Sequence, residues 1–180
     1  MNVTIQERKF SFRSEFDISA PSGSFYARKS LVGNGLQLQT RSGQDIVHLR
    51  SRLSFLRNKY DFEFAAGAIY HFQCEKRWKG VYLCERDDDR FRLYRHKGVR
   101  YSVFQDDRQI AALSKNRVVL GKGNRYDITM NADANVVIIA CMVLAVNTSD
   151  NDDHQESVTY DFGNLGPEDR PFDESWEANG

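Results

Sequence analysis

Cysteine is scarce in this chain, with three in 180 residues. Cys74, Cys84 and Cys141 are too few for a disulfide framework, and an odd, low count fits a reducing, cytoplasmic compartment. Three prolines and twelve glycines are too few to mark a low-complexity chain. Met1-Asn2-Val3-Thr4-Ile5 lacks the basic start and apolar segment of a secretion signal. Glu177-Ala178-Asn179-Gly180 carries no prenylation or retention signal. No apolar run reaches the roughly 20 residues that span a bilayer, so no transmembrane segment is expected.

Motifs of chemistry are also scarce. No Gly-x-Ser-x-Gly elbow is present, and Gly121-Lys122-Gly123 precedes a strand pattern rather than a helix, which excludes a dinucleotide-binding turn. Cys84 beside Glu85, or Ser102 near His96, gives a nucleophile and a base only on paper. Cys74, Cys84 and His71 are zinc-type ligands, and a turn around 77–79 would set the two thiols opposite each other. Their spacing matches no established zinc module, so small packed residues are the expected reading, with neither metal nor cofactor. Asp87-Asp88-Asp89 reads as a solvated hairpin tip rather than a cation site. A catalytic role is therefore not expected.

What the chain does have is alternation. Apolar and polar residues alternate over 16–18, 24–31, 35–40, 45–51, 60–65, 69–76, 80–85, 90–95, 100–105, 109–114, 117–120 and 125–130. Arg90-Phe91-Arg92-Leu93 is typical: Phe91 and Leu93 share one face, arginines the other. Short joints such as Ser42-Gly43, Lys97-Gly98 and Gly123-Asn124 supply turn residues, so neighbours in sequence pair as a meander. About twelve strands in one sheet would leave two long edges unless the sheet closes. A barrel that wide needs something inside it.

The filling is the run Val136-Val137-Ile138-Ile139-Ala140-Cys141-Met142-Val143-Leu144-Ala145-Val146, which has no polar face. As a helix it must be buried all round. A buried strand is the rival, because Val and Ile are weaker helix formers. The length of the run and its Ala, Met and Leu residues favour helix. The fold expected is all-β with one helix: a closed antiparallel barrel of about twelve strands around a central apolar helix over 133–147. Asp133 is the expected N-cap, and the turn-favouring residues from Asn147 to Asp153 the expected end. The barrel unit is read as 1–148 and the tail as 149–180.

These features resemble the tubby-like superfamily, in the LURP-one-related branch that is similar to phospholipid scramblases. The resemblance rests on the strand through Ser24-Phe25-Tyr26-Ala27-Arg28-Lys29-Ser30-Leu31 and a strand–glycine–strand step at 38–48. It rests also on the paired hairpins after it and the apolar helix after Tyr126-Asp127-Ile128. It covers about residues 10–147. It implies a twelve-stranded barrel around a helix and, by way of members that bind phosphoinositides, an anionic lipid ligand. It carries no binding residue to this chain.

Charge gives the remaining lead. Residues 1–148 hold 24 Lys and Arg against 15 Asp and Glu; residues 149–180 hold one Arg against ten acids. The body is +9 and the tail −9. The candidate anion-binding residues are Arg50 and Arg52, Lys76, Arg77 and Lys79, and Arg90, Arg92 and Arg95, with Arg57, Lys59, Lys97 and Arg100 nearby. Guanidinium groups on one face suit phosphate. The expected partner is an anionic lipid headgroup or membrane surface, met as a peripheral protein. A protein partner docked by the barrel or the tail is the alternative. Nucleic acid is the weaker candidate, since no stacked-aromatic strand motif is present. The tail also holds Tyr160, Phe162, Phe172 and Trp176, so 160–176 is expected to lie as a strap over the barrel, in competition with any anionic ligand.

Overall fold

The computed structural model describes residues 1–10, 13–29, 35–52, 59–117, 122–153 and 168–180. Among these residues twelve strands run in chain order: β1 (Asn2–Phe10), β2 (Arg13–Ala20), β3 (Gly23–Lys29), β4 (Gly35–Thr40), β5 (Asp45–Arg52), β6 (Lys59–Phe64), β7 (Ile69–Lys76), β8 (Val81–Arg86), β9 (Asp89–His96), β10 (Arg100–Gln105), β11 (Arg108–Arg117) and β12 (Lys122–Met130). Each pairs antiparallel with its sequence neighbours, and β1 pairs with β12, so the meander closes into a barrel. Closure leaves no free edge.

The strand count matches expectation, but two members differ. β1 was not among the expected strands, because Asn2–Phe10 mixes charge into its alternation as Glu7, Arg8 and Lys9. Val3 and Ile5 nonetheless point inward against Ile128 and Tyr126. The expected separate strand at 117–120 does not form as such. Arg117 belongs to β11, and 118–120 lie outside the described residues.

Turns are built as their residues dictate. Asp87 (φ 51°) and Asp106 (φ 53°) take left-handed conformations in the loops after β8 and β10, which aspartate tolerates. Val99 (φ 56°) does the same between β9 and β10, where a β-branched side chain is strained. Gly35 allows close approach of β4 to β5, since a Cβ there would lie 2.0 Å from the Leu49 carbonyl oxygen.

The barrel is filled by one helix, α1 (Val136–Asp153). Ile138, Ile139, Ala140, Cys141, Met142, Val143, Leu144, Ala145 and Val146 are all buried in one core with inward residues of every strand, among them Phe16, Leu38, Leu49, Phe62, Phe72 and Leu93. The bounds of the helix differ from expectation at both ends. Asn135, not Asp133, caps it: its Oδ1 accepts from the N–H groups of Val137 (3.0 Å) and Ile138 (3.2 Å). Asp133 instead accepts from Arg108 Nη2 at 2.6 Å. At the far end Thr148 and Ser149 donate their hydroxyls back to Leu144 and Ala145 carbonyls, both at 2.9 Å. The helix runs on through Asp153. Asn147 ties the helix to the wall, accepting from Tyr126 Oη (2.8 Å) and Asn124 Nδ2 (2.9 Å).

Candidate functional site

The expected anion-binding residues fall into separate places. On β5, Arg50 and Arg52 share the outer face but meet acids of β6. Arg50 Nη2 lies 3.2 Å from Glu63 Oε2, and Arg52 pairs with Asp61, which also meets His71 Nδ1 at 2.7 Å. On β9, Arg90 faces Glu85 (3.6 Å) and Arg92 faces Glu75 (3.2 Å). Arg95 has the parity of Phe91 and Leu93 and sits opposite Tyr101, away from the Arg90 and Arg92 row. Arg57 lies outside the described residues. β5 and β9 are four strands apart around the wall, with acids interleaved, so the eight residues do not converge on one ligand.

Lys76 and Lys79 do converge. Lys76 precedes and Lys79 closes the single turn of 3₁₀ helix Arg77–Lys79 that joins β7 to β8, and Gly80 in the left-handed region (φ 60°) ends it. Each ammonium donates to one oxygen of Asp169, both at 2.8 Å. The two lysines hold the Asp169 carboxyl below its ordinary pKa. Between them, Trp78 is 91 % exposed and Arg77 is also exposed.

Asp169 belongs to the tail. Residues 168–180 lie along the outer wall; 160–167 of the expected strap are outside the described residues. Glu168 accepts from the Lys97 N–H (3.0 Å) and lies 3.4 Å from His96 Nδ1. The Arg170 guanidinium stacks 4.1 Å above the ring of Phe104 and 5.6 Å from that of Tyr94. Phe172 sits edge-on to His96 and beneath the Arg100 guanidinium, 4.4 Å away. Arg100 also pairs with Glu174. The Asn179 N–H reaches Asn131 Oδ1 at 2.8 Å, at the corner before α1.

The floor beneath the tail is a small apolar cluster of Val81, Tyr94 and Phe104, separate from the barrel core. Beside it His96 is sealed, with Nε2 2.7 Å from Ser102 Oγ. Burial lowers the His96 pKa and Glu168 partly opposes that, so the ring is neutral at pH 7. A neutral ring with its Nδ1–H toward Glu168 accepts the Ser102 proton on Nε2. Serine, histidine and glutamate thus follow the order of a hydrolytic relay. Ser102 is buried, and β10 is laddered on both sides to β9 and β11, which commits its amides to the sheet. As it stands, the relay fixes Glu168 on the wall.

The sequence reading did not foresee this floor. Its signal was present: Tyr94 and Phe104 occupy the outward parity of β9 and β10, where polar residues belong on a wet face. Register overturns only the idea that Cys74 and Cys84 lie opposite each other. Cys74 faces Tyr82 and Cys84 faces Phe72, so the two thiols are not opposite. Cys84 and Cys141 are buried, and burial raises both thiol pKa values. Asp89 in the acidic tip accepts from Tyr70 Oη (2.8 Å) and Gln105 Nε2 (2.9 Å). Beside the strap, a groove of about 450 Å³ is lined by residues that include Thr4, Ser114, Asp127, Thr129, Arg100 and Phe172. No helix among the described residues is long and apolar enough to cross a membrane. No family model, curated protein or solved structure matches the chain.

Proposed function

We propose that this chain is a non-catalytic binding module of tubby-like type that docks peripherally on an anionic lipid surface through the Arg77–Lys79 turn. The observation that carries the reading is Trp78, 91 % exposed between Arg77 and Lys79. Buried tryptophan needs no function, but an exposed one among cations suits a membrane–water interface, where the indole takes the headgroup level. Each basic residue near an anionic leaflet contributes about 1 kcal/mol. Asp169 supports the same chemistry, since its two oxygens meet two ammonium groups as two oxygens of a phosphate would. Arg90 and Arg92 already face Glu85 and Glu75 of the barrel wall, respectively, which makes them weaker candidates.

Flotation with phosphatidylcholine vesicles, with and without phosphatidylserine or a phosphoinositide, tests the reading. The parent should float only with anionic vesicles, and less as salt rises, because exposed charges are screened within about 8 Å at physiological ionic strength. Trp78→Ala and Lys79→Glu should each cut binding at least tenfold, while Arg90→Glu should change it little. Binding that ignores Trp78, or no binding to any anionic vesicle, overturns the reading.

A further inference from the structure

Three features of the outer wall of β8–β10 belong together. Val81, Tyr94 and Phe104 form an apolar floor that is not part of the barrel core. Lys76 and Lys79 stand at one end of it and Arg100 at the other, with the Lys97 N–H between them. The turn that presents this N–H holds Val99 in a left-handed conformation, the kind of strain that collects at recognition sites. An apolar patch rimmed by cations is the surface pattern of an interaction site.

The chain's own tail shows what fits there. Residues 168–174 add no strand to the sheet. They are read through side chains in order: Glu168 at Lys97 and His96, Asp169 at the two lysines, Arg170 over Phe104, Phe172 at His96 and Arg100, Glu174 at Arg100. Recognition by side-chain order is satisfied by any peptide that presents the same order. The tail remains half-exposed or exposed throughout 168–176, unlike a segment welded into the fold. A tethered ligand of this kind competes with an untethered one at the effective concentration its tether sets.

We infer that the outer face of β8–β10 is a recognition site for an acidic–aromatic segment of a partner protein, and that the chain's own residues 168–174 occupy it until that segment displaces them. The occupant has an acidic pair, a planar cation and an aromatic ring in that order. The site shares Lys76 and Lys79 with the membrane reading but has a floor of its own in Val81, Tyr94 and Phe104, whereas the membrane reading rests on Trp78, exposed on the turn.

A fluorescent, C-terminally amidated peptide of residues 168–176 is the probe, read by anisotropy on the full chain. Asp169→Ala with Phe172→Ala weakens the resident tail and leaves the wall intact. This released chain should bind the peptide at least tenfold more tightly than the parent. Adding Lys76→Glu and Lys79→Glu should remove that gain, and a scrambled peptide should not show it. Equal binding by parent and released chain, or binding that survives the charge reversal, overturns the inference. Trp78→Ala, which tests the membrane reading, should leave peptide binding unchanged. In the unaltered chain, excess peptide should speed carboxypeptidase trimming of the C-terminus at least tenfold, and unchanged trimming overturns the inference without any substitution. A parent that is dimeric by light scattering and becomes monomeric on release would assign the site to a second copy's tail, against a partner protein.

Discussion

β5 and β10 are neighbours in kind and opposites in surroundings. Both send alternate side chains into the same core: Val47 and Leu49 from β5, Tyr101 and Val103 from β10. Outside, β5 is wet, with Arg50 and Arg52 exposed and paired to acids of the next strand. β10 is buried on both faces, because Ser102 and Phe104 lie under the tail. The wall itself is the same ladder in both places. What differs is which residues stand at the outward parity, and on β10 the tail covers the apolar one, Phe104. Among the described residues the barrel therefore has a sealed interior and, at β10, a covered stretch of exterior, and uncovering the second does not require opening the barrel.

The comparison breaks most completely at what the two strands share. Ala140→Asp buries a charge without a partner in the core, and it should cost more than about 4 kcal/mol and leave little folded protein. A melting temperature near the parent's would mean that the helix does not fill the barrel. Phe104→Ala strikes only the covered exterior. It should cost about 3 kcal/mol, the low end for a phenylalanine truncation because the tail can settle into the gap. Thermal unfolding followed by circular dichroism measures both.

Acid should separate the two strands without substitution. The docked His96 has its pKa below 6.5, chiefly from burial, whereas an undocked, solvated ring titrates near 6.5. Docking is then at full strength above 6.5 and weakens as pH falls from 6.5 through the docked value. Glu168 and Asp169, both held below their ordinary values of 4.5 and 3.8, lose their contribution only at lower pH. Hydrogen exchange of the Lys97 amide, corrected for its intrinsic rate, should therefore lose protection between pH 7.5 and 5.5, while β5 amides keep theirs. Equal protection at both pH values would remove His96 from the docking equilibrium. The smallest effect belongs to β5: Arg50→Ala should change stability by less than about 0.5 kcal/mol, as exposed ion pairs usually do. A larger loss would show that the wet face is also structural.

The barrel was legible because its rule is simple. Period-two alternation and short turns give a meander, and the run at 136–146 can only be buried. β1 was harder to read because Glu7, a charged residue, points inward and accepts from the Asn124 N–H at 2.9 Å. The ends of the helix were harder still, since Asp133 and Asn135 are both residue types that cap, and Asp133 is held by Arg108 while Asn135 takes the cap. For the site, sequence gave the charges but not their partners. Arg50, Arg52 and Arg90 look free until Glu63, Asp61 and Glu85 come beside them from adjacent strands, and Arg92 until Glu75 reaches it from β7, two strands away. Lys76, Lys79 and the acidic tail were each visible, and their meeting at Asp169 was not, because 90 or more residues separate them.

The order of elements along the chain has a consequence for how the molecule is made. Asn2 must pair with Thr129, so the ring cannot close until nearly all of its strands exist. Such distant pairings make for slow folding. The helix that fills the ring comes later still, from Val136 onward. During synthesis the wall leaves the ribosome before its plug, with an apolar inner face and two open edges exposed. The last helix to be made is thus the form on which all the earlier chain closes, and a nascent chain halted short of it is a curved sheet with nothing to wrap.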